Sequence, residues 1–489
     1  MFSCLCGGFI SAKTMPMLNQ QLPYHHDSSV LFERIAHQPW AMFLDSGQML
    51  NTATGIAGSQ YGRYDILVAE PFMTLVTCGE MTTITQNILV ETSIEDPFFL
   101  LKNILEQYPA PSLENDSNVL PFAGGALGYF AYDLGRRLEK LPNIACNDTQ
   151  QPEMMVGIYD WAVVVDHREK KTVMVSHQLH AQTQQHWARL RALFNKPAGV
   201  DSATFEVTSN IAYNLPALQY KHAFAKIKAY ITAGDCYQVN LAQRFSAKVQ
   251  GDAWAMYKKL RELSPAPFMA FMNLPLNDNE HFQVLSNSPE RFLQTNGKHV
   301  ETRPIKGTRP RSKDAAEDLA YSNELLTSAK DKAENVMIVD LLRNDLSKSC
   351  EIGSVKVNKL FQLQSFANVH HLVSIVVGKL KADKTAVDVL RGCFPGGSIT
   401  GAPKLRAMQI IEELEPHRRG LYCGAIGYIG FDGNMDTNIA IRTAVIIKNG
   451  LSFYAGGGIV ADSDASKEYN ETLDKASSFT TIIKLFTRL

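Results

Sequence analysis

The stretch "GAIGYIGFDGNMDTNIAIRTAVIIKNGLSFYAGGGIV" (424–460) constrains the fold most. Apolar residues alternate with small or polar ones, and Asp432-Gly433 and Asn449-Gly450 punctuate the run. Such dipeptides make tight hairpin turns, which join antiparallel neighbours and leave no room for a crossover helix. "HFQVLSNSPERFLQTNGKHVETRPIKGT" (281–308) repeats the pattern as three strands around Asn296-Gly297. Upstream, "ILVAEPFMTLVT" and "GIYDWAVVVDHREKKTVMVSH" read as strands and a hairpin. Helical spacing of apolar residues predicts a helix from 217 to about Ile231, stopped by Gly234-Asp235. It also predicts one long helix over "AYSNELLTSAKDKAENVMIVDLLRNDL" (320–346) and a last helix from about Ser466. Hairpins with helices between groups indicate an α+β fold of mostly antiparallel sheets, not a doubly wound parallel sheet.

With 489 residues, 45% of them hydrophobic, the chain can bury a large core. Turn-rich stretches at 146–153 and 195–210 suggest a leader over 1–20, a first region over 21–205 and a second over 216–489. A net charge of −1, from 48 basic and 49 acidic side chains, gives no footprint for nucleic acid or an anionic membrane. The short basic run at 309–313 reads as a solvated loop. Eight cysteines lie scattered, with no Cys-x-x-Cys pair and no zinc spacing, which points to free thiols in a reducing cytoplasm. There is no apolar run of membrane-spanning length. The start lacks a basic n-region and a sustained apolar core, so a disordered leader, or a start at Met15 or Met17, is expected over a signal peptide.

Several motifs invite chemistry. "PGGSITGAPK" (395–404) has P-loop glycine spacing but no Lys-Ser/Thr after the second glycine, so a phosphate cradle is not expected. "AGGGIVADS" (455–463) lacks the βαβ context of a dinucleotide site. Its glycines would either present backbone N–H groups to an anion or make a tight turn. Glu468 and Glu471 share a face of the last helix, and Glu334 lies among apolar neighbours on another. The three could hold Mg2+, or could pair with Lys330 and Lys475 on helix surfaces. Arg442 and Tyr428 are lone polar groups in apolar strands. The arginine needs an anion, from a ligand or from the protein. His371 is open to a core or a catalytic role. Lys306, between Ile305 and Gly307 at a strand end, is a surface turn residue or a reactive amine.

In order along the chain, "SPERF", "RPIKGT", "AENVMIVDLLRNDL", "VHHLVS", "FPGGSITGAPK", "GAIGYIG", "IRT" and "AGGGIVADSDASKEYNETLDKA" resemble the chorismate-utilising enzymes. That family includes anthranilate synthase component I, isochorismate and salicylate synthases, and aminodeoxychorismate synthase component I. The resemblance implies two large antiparallel sheets packed together, with helices outside and chorismate near the middle. It implies that Glu334, Glu471 and Glu468 hold Mg2+, and that Tyr428 and Arg442 hold the enolpyruvyl carboxylate. Gly456, Gly457 and Gly458, with Lys475, correspond to groups near the substrate carboxylates. Thr400 and His371 correspond to other pocket residues, and Glu290 to the acid that protonates the C4 hydroxyl.

The anthranilate-forming branch resembles "PIAGT" where this chain has "PIKGT". In the C4-aminating branch that lysine, here Lys306, is thought to add to C2 as water leaves C4. Ammonia then attacks C4 and expels the lysine, giving 4-amino-4-deoxychorismate for 4-aminobenzoate and folate synthesis. An attacking amine must be neutral, so burial or a nearby cation, Arg303, Arg309 or the metal, is expected to lower its pKa. The water-adding branch has a lysine where this chain has Gln238, so isochorismate and salicylate are not expected products. No "GxCxGxQ" glutaminase signature is present, which implies a separate glutamine amidotransferase subunit as ammonia source. Ser46, Arg63, Tyr64, Pro267, Phe268 and Met269 fall in motifs that bind tryptophan between the sheets of relatives, or else form plain core. The competing functions are anthranilate synthesis and a non-catalytic tryptophan-binding subunit. The second conflicts with the competent side chain at every matched polar position.

Overall fold

Alternation of side chains along the strands decides the layers. A computed structural model describes residues 17–47, 62–108, 120–196, 203–277, 280–365 and 369–487. In the register of Ala41–Asp45, Phe268–Asn277, Glu280–Ser288 and Thr443–Ile447, Met42, Met272, Val284 and Val445 are cross-strand neighbours. All four belong to an inner core, which they share with Leu127, Tyr129, Met155 and Ile426 of a second sheet. The next residues in each strand, or the ones before, are Phe43, Phe271, Leu285 and Ala444. They face outward onto the helices Ala253–Leu263 and Ala465–Phe486. A period of two thus makes one strand serve two cores.

Among the described residues the first sheet has thirteen strands and the second twelve, and every pairing between strands is antiparallel. The first runs from Leu18–Leu22 through Lys171–Ser176, Trp161–Asp166, Tyr64–Val68 and Ala41–Asp45. It continues through Phe268–Asn277, Glu280–Ser288, Thr443–Ile447, Gly450–Ile459 and Gln238–Gly251 to Phe205–Val207. The second runs from Ile305–Pro310 through Val369–Lys379, His299–Thr302, Arg291–Asn296, Met435–Ile439 and Ala425–Gly430. It ends through Gly125–Phe130, Met154–Tyr159, Met73–Cys78 and Met81–Gln86 at Leu89–Ser93. Helices Pro97–Glu106 and Ala386–Cys393 cover its outer face. This is the expected α+β architecture. Each sheet draws strands from both regions, 21–205 and 216–489.

Four details depart from the sequence-based expectations. Leu18–Leu22 pairs with Lys171–Ser176, so strand begins inside the expected 1–20 leader, of which 1–16 lie outside the described residues. The long helix over 320–346 is two helices, Ala315–Thr327 and Ala329–Ser347. Ser328 breaks it in extended conformation, its hydroxyl capping the second helix at the Asp331 N–H. Gly456–Gly458 are neither a turn nor a loop but strand interior, paired with Ala242, Leu241 and Asn240. Arg442 does not sit within a strand. It lies where the chain leaves Met435–Ile439 in the second sheet for Thr443–Ile447 in the first, with φ +51°. A side chain in the left-handed region is strained, and such positions persist where surrounding structure over-determines them.

Candidate active site

Lys306 answers to charges brought from far along the chain. Its strand, Ile305–Pro310, pairs with Val369–Lys379, and the helix Ala329–Ser347 packs against it. Burial lowers the amine's pKa first. The Lys475 charge adds to this, and Glu334, Glu290 and Glu471 oppose it. The expected arginines are not the cause. Arg303 pairs with Glu301, and Arg309 pairs with Glu324 and Asp331. The cation that helps free the amine is Lys475.

Glu290 is buried, and burial raises its carboxyl pKa to about 7 against the pull of Lys306, Ser398, the Ile305 amide and Lys475. The Ser398 hydroxyl donates to Oε1 at 3.1 Å. A carboxyl with this pKa is about half protonated at neutral pH and can hand that proton to a leaving hydroxyl. An amine with a lowered pKa and a carboxyl with a raised one therefore share a field, which is what a coupled addition and elimination needs.

Glu468 and Glu471, on the last helix, flank the strand Gly450–Ile459 at one glycine. A Cβ on Gly457 would stand 3.1 Å from Glu468 Oε2 and 3.6 Å from Glu471 Oε1. Burial raises the pKa of Glu468, and Glu471 adds to the effect. Burial likewise raises Glu334, with Glu468 among the charges acting on it. For Glu471 burial also pushes up, but Lys475 at 2.7 Å outweighs it and the pKa falls. Among the described residues no three metal-type ligands converge closely enough to enclose an ion. The donor set still fits Mg2+, which takes one or two protein carboxylates and leaves other positions to water and substrate. Gly457 leaves open the space between two of them. The lysine pairings also occur: Lys475 meets Glu471, and Lys330 stands 3.9 Å from Glu334.

Arg442 makes no ion pair among the described residues. Burial depresses its pKa, and the groups that support its charge are Tyr422 and Glu471. A half-buried guanidinium without a carboxylate partner is suited to an anionic ligand. Tyr428 is not brought to it. That ring packs on Phe122 at 5.3 Å and opens on a different cavity. The tyrosine in the Arg442 field is Tyr422, stacked on Tyr454 at 5.2 Å with the Arg419 guanidinium 5.6 Å from its centroid. Sequence reading missed it because "RRGLYCGA" is loop, where no periodicity marks a face. The one signal was a tyrosine among glycines.

His371 lies on Val369–Lys379 with Nδ1 3.0 Å from Thr308 Oγ1. Burial lowers its pKa to about 4, with Arg442 contributing, so the ring is neutral at physiological pH. Thr400 turns its hydroxyl inward, donating to the carbonyls of Gly396 and Gly397 at 3.1 and 3.3 Å. Its own carbonyl accepts from the Asn240 N–H at 2.9 Å, so it shapes the loop. Lys475 Nζ donates to the Gly456 carbonyl at 3.0 Å. Gln238 is buried against Gly458, with Nε2 on Asn240 Oδ1 at 3.2 Å.

Ser46, Arg63, Tyr64, Pro267, Phe268 and Met269 do come together. They line one cavity of about 480 Å³ between the sheets, with Tyr428 and Asn438 on the facing wall. Behind it Ser46 donates to Asp65 at 2.6 Å, and Arg63 pairs with Asp166 at 2.8 Å.

Half-buried cations and strand glycines around an acid and an amine suit a small substrate carrying more than one carboxylate, and the chain belongs to the chorismate binding enzyme family, whose model matches residues 63–481. More narrowly, it is 46% identical to aminodeoxychorismate synthase component 1 of Escherichia coli (strain K12), covering 91% of this chain and 94% of that one. Identity to aminodeoxychorismate synthase component 1 of Klebsiella aerogenes is 47%, covering 93% and 96%. The crystal structure of anthranilate synthase component I from Streptococcus pneumoniae TIGR4 superposes with a TM-score of 0.75 at 31% identity, covering 88% of this chain and 95% of that one.

Proposed function

We propose that this chain aminates chorismate at C4, giving 4-amino-4-deoxychorismate, with ammonia delivered by a glutamine amidotransferase subunit. The supporting observation is Lys306, a half-buried amine with lowered pKa in the field of Glu290, whose carboxyl is raised to about 7. Glu334, Glu468 and Glu471 would hold Mg2+, which when bound supplies Lewis-acid charge to a substrate carboxylate.

The neutral Lys306 nitrogen adds to ring C2. Both ring double bonds shift along the conjugated system, from C1=C2 and C5=C6 to C1=C6 and C4=C5, the C4–O bond breaks, and Glu290 gives its proton to the departing hydroxyl, which leaves as water. Ammonia then forms a bond to C4, both double bonds shift back, and the C2–N bond to Lys306 breaks. The C4 ammonium returns one proton to the Glu290 carboxylate, which restores the starting state. Splitting the substitution in two replaces one difficult step by two easier ones. Arg442 anchors a substrate carboxylate with Tyr422 beside it, and Gly457 leaves room for the ring near the helix carboxylates. The neutral His371 can hydrogen-bond without adding charge. The cavity lined by Ser46 and Met269 supports tryptophan as a second, regulatory ligand between the sheets, because its wall offers both apolar and hydrogen-bonding groups.

The test is product identification with the purified chain, chorismate, Mg2+ and ammonium, by chromatography with mass detection. The expected product is one that 4-amino-4-deoxychorismate lyase turns into 4-aminobenzoate. Lys306→Ala should lower its formation by about a hundredfold or more. Fluorescent anthranilate from the unaltered chain would overturn C4 amination.

A further inference from the structure

Among the described residues the acid, Glu290, has no carboxylate or arginine partner holding it. It is held by a hydroxyl and an amide from two other elements. We propose that Ser398 is a positioning residue for the C4 elimination: its hydroxyl fixes the Glu290 carboxyl in the orientation from which it donates its proton. This inference rests on Glu290 being the acid of the proposed reaction.

Ser398 sits in the one-turn helix Gly397–Ile399 of the glycine-rich loop, buried, with Oγ donating to Glu290 Oε1 at 3.1 Å. The loop is itself fixed from the first sheet. Asn240 Nδ2 donates to the Ser398 carbonyl at 3.2 Å, and the Asn240 N–H to the Thr400 carbonyl at 2.9 Å. Arg419 ties the same two segments together, donating to the carbonyls of Ile399 and Asn240 at 3.1 and 2.9 Å. On the other side the Ile305 amide acts on the same carboxyl, one residue from Lys306. Glu290 is thereby tied to the strand of the nucleophile and to a braced loop. The Gln238 side chain completes the run, bonded to Asn240 and lying against Gly458. A carboxyl can rotate about its last torsion with little resistance. Without a donor on one oxygen, the proton-bearing oxygen would sample several directions, and a misplacement of about an ångström costs about a hundredfold in rate.

The experiment compares Ser398→Ala and Ser398→Thr with the unaltered chain, across pH, with ammonium as the nitrogen source. The groups facing Glu290 that titrate or carry charge are Lys306, Lys475 and the Cys423 thiol, and all three are unchanged in these variants. The alanine chain should lose roughly ten- to a hundredfold in kcat, with KM for chorismate within about twofold. Ser398 favours the charged carboxylate, so its removal should move the alkaline limb of kcat up by about half a pH unit or more. Threonine, which keeps the hydroxyl, should restore most of kcat. Ser398→Cys keeps the volume but donates weakly, and carries the same expectation if the alanine chain does not fold. Unaltered kcat in the alanine chain would overturn the assignment. So would a loss with an unmoved alkaline limb and no rescue by threonine, the mark of a structural prop. Glu290→Gln with undiminished turnover would overturn the acid's role, and this inference with it, whatever the serine variants do.

Discussion

Replacing Gly457 by alanine should separate stability from activity. The residue lies in the strand Gly450–Ile459, and its φ is not in the left-handed region. An added Cβ would meet Glu468 Oε2 at 3.1 Å and Glu471 Oε1 at 3.6 Å, so only the first is crowded, by a few tenths of an ångström. Glu468 can yield that by loosening its 2.7 Å hydrogen bond from Ser463, worth about 1 kcal/mol. The lost backbone freedom of the unfolded chain returns about 0.4–1 kcal/mol. The two nearly cancel, so the melting temperature should move by only a few degrees. Activity should not survive so well, because the methyl group stands between the two carboxylates. Turnover of chorismate should fall by about tenfold or more, and the Mg2+ concentration for half-maximal rate should rise. The assay is steady-state turnover titrated with Mg2+, beside a thermal scan. Unchanged kinetics in Gly457→Ala would mean that this space is not used. As a control, Gly456→Ala should fail to fold, because its Cβ would lie 2.6 Å from the Leu241 carbonyl oxygen.

Two further outcomes are expected. Folding raises the Glu290 pKa from 4.5 to about 7, so the neutral carboxyl is favoured in the folded state. Its contribution is complete below pH 4.5 and is lost as pH rises to 7, where the difference amounts to about 3 kcal/mol. Glu290→Gln should therefore be inactive yet at least as stable as the unaltered chain at pH 8, by urea denaturation at several pH values; equal pH dependence in both chains would refute the assignment. Arg261 is buried between Asp45 and Asp27, at 2.6 Å from each. Among the described residues Arg261→Met leaves Asp45 buried with Tyr257 and the Gly47 N–H as its remaining donors, and should cost about 3–5 kcal/mol. A denaturation midpoint that scarcely moves would show that the carboxylate takes a proton instead.

Much of the frame was legible because hairpin turns and strand alternation are local properties. The Gly234 stop and the Asn296-Gly297 turn are where the pattern put them, with φ of +84° and +57°. The break at Ser328 was not legible, since apolar spacing runs through it and only a capping hydrogen bond marks the second start. Tyr428 shows a different limit. Period two says that it shares a face with Ile426, but not whether that face meets Arg442 or the other cavity. Tyr422 and Ser398 lie outside any periodic segment, so nothing local distinguished them from ordinary loop residues.

The sequence by itself determined the kind of chemistry: an amine in "RPIKGT", an acid in "SPERF" and carboxylates three apart on the last helix. Those are side-chain identities, and no fold can supply them. Only the tertiary structure decided how each is tuned. It set Lys475, not Arg303 or Arg309, in the field of Lys306, and buried Glu290 until its pKa rose to about 7. The physical reason is that pKa shifts come from desolvation and from charges within a few ångströms. Both depend on which distant segments two packed sheets bring together, and neither is written in sequence neighbours.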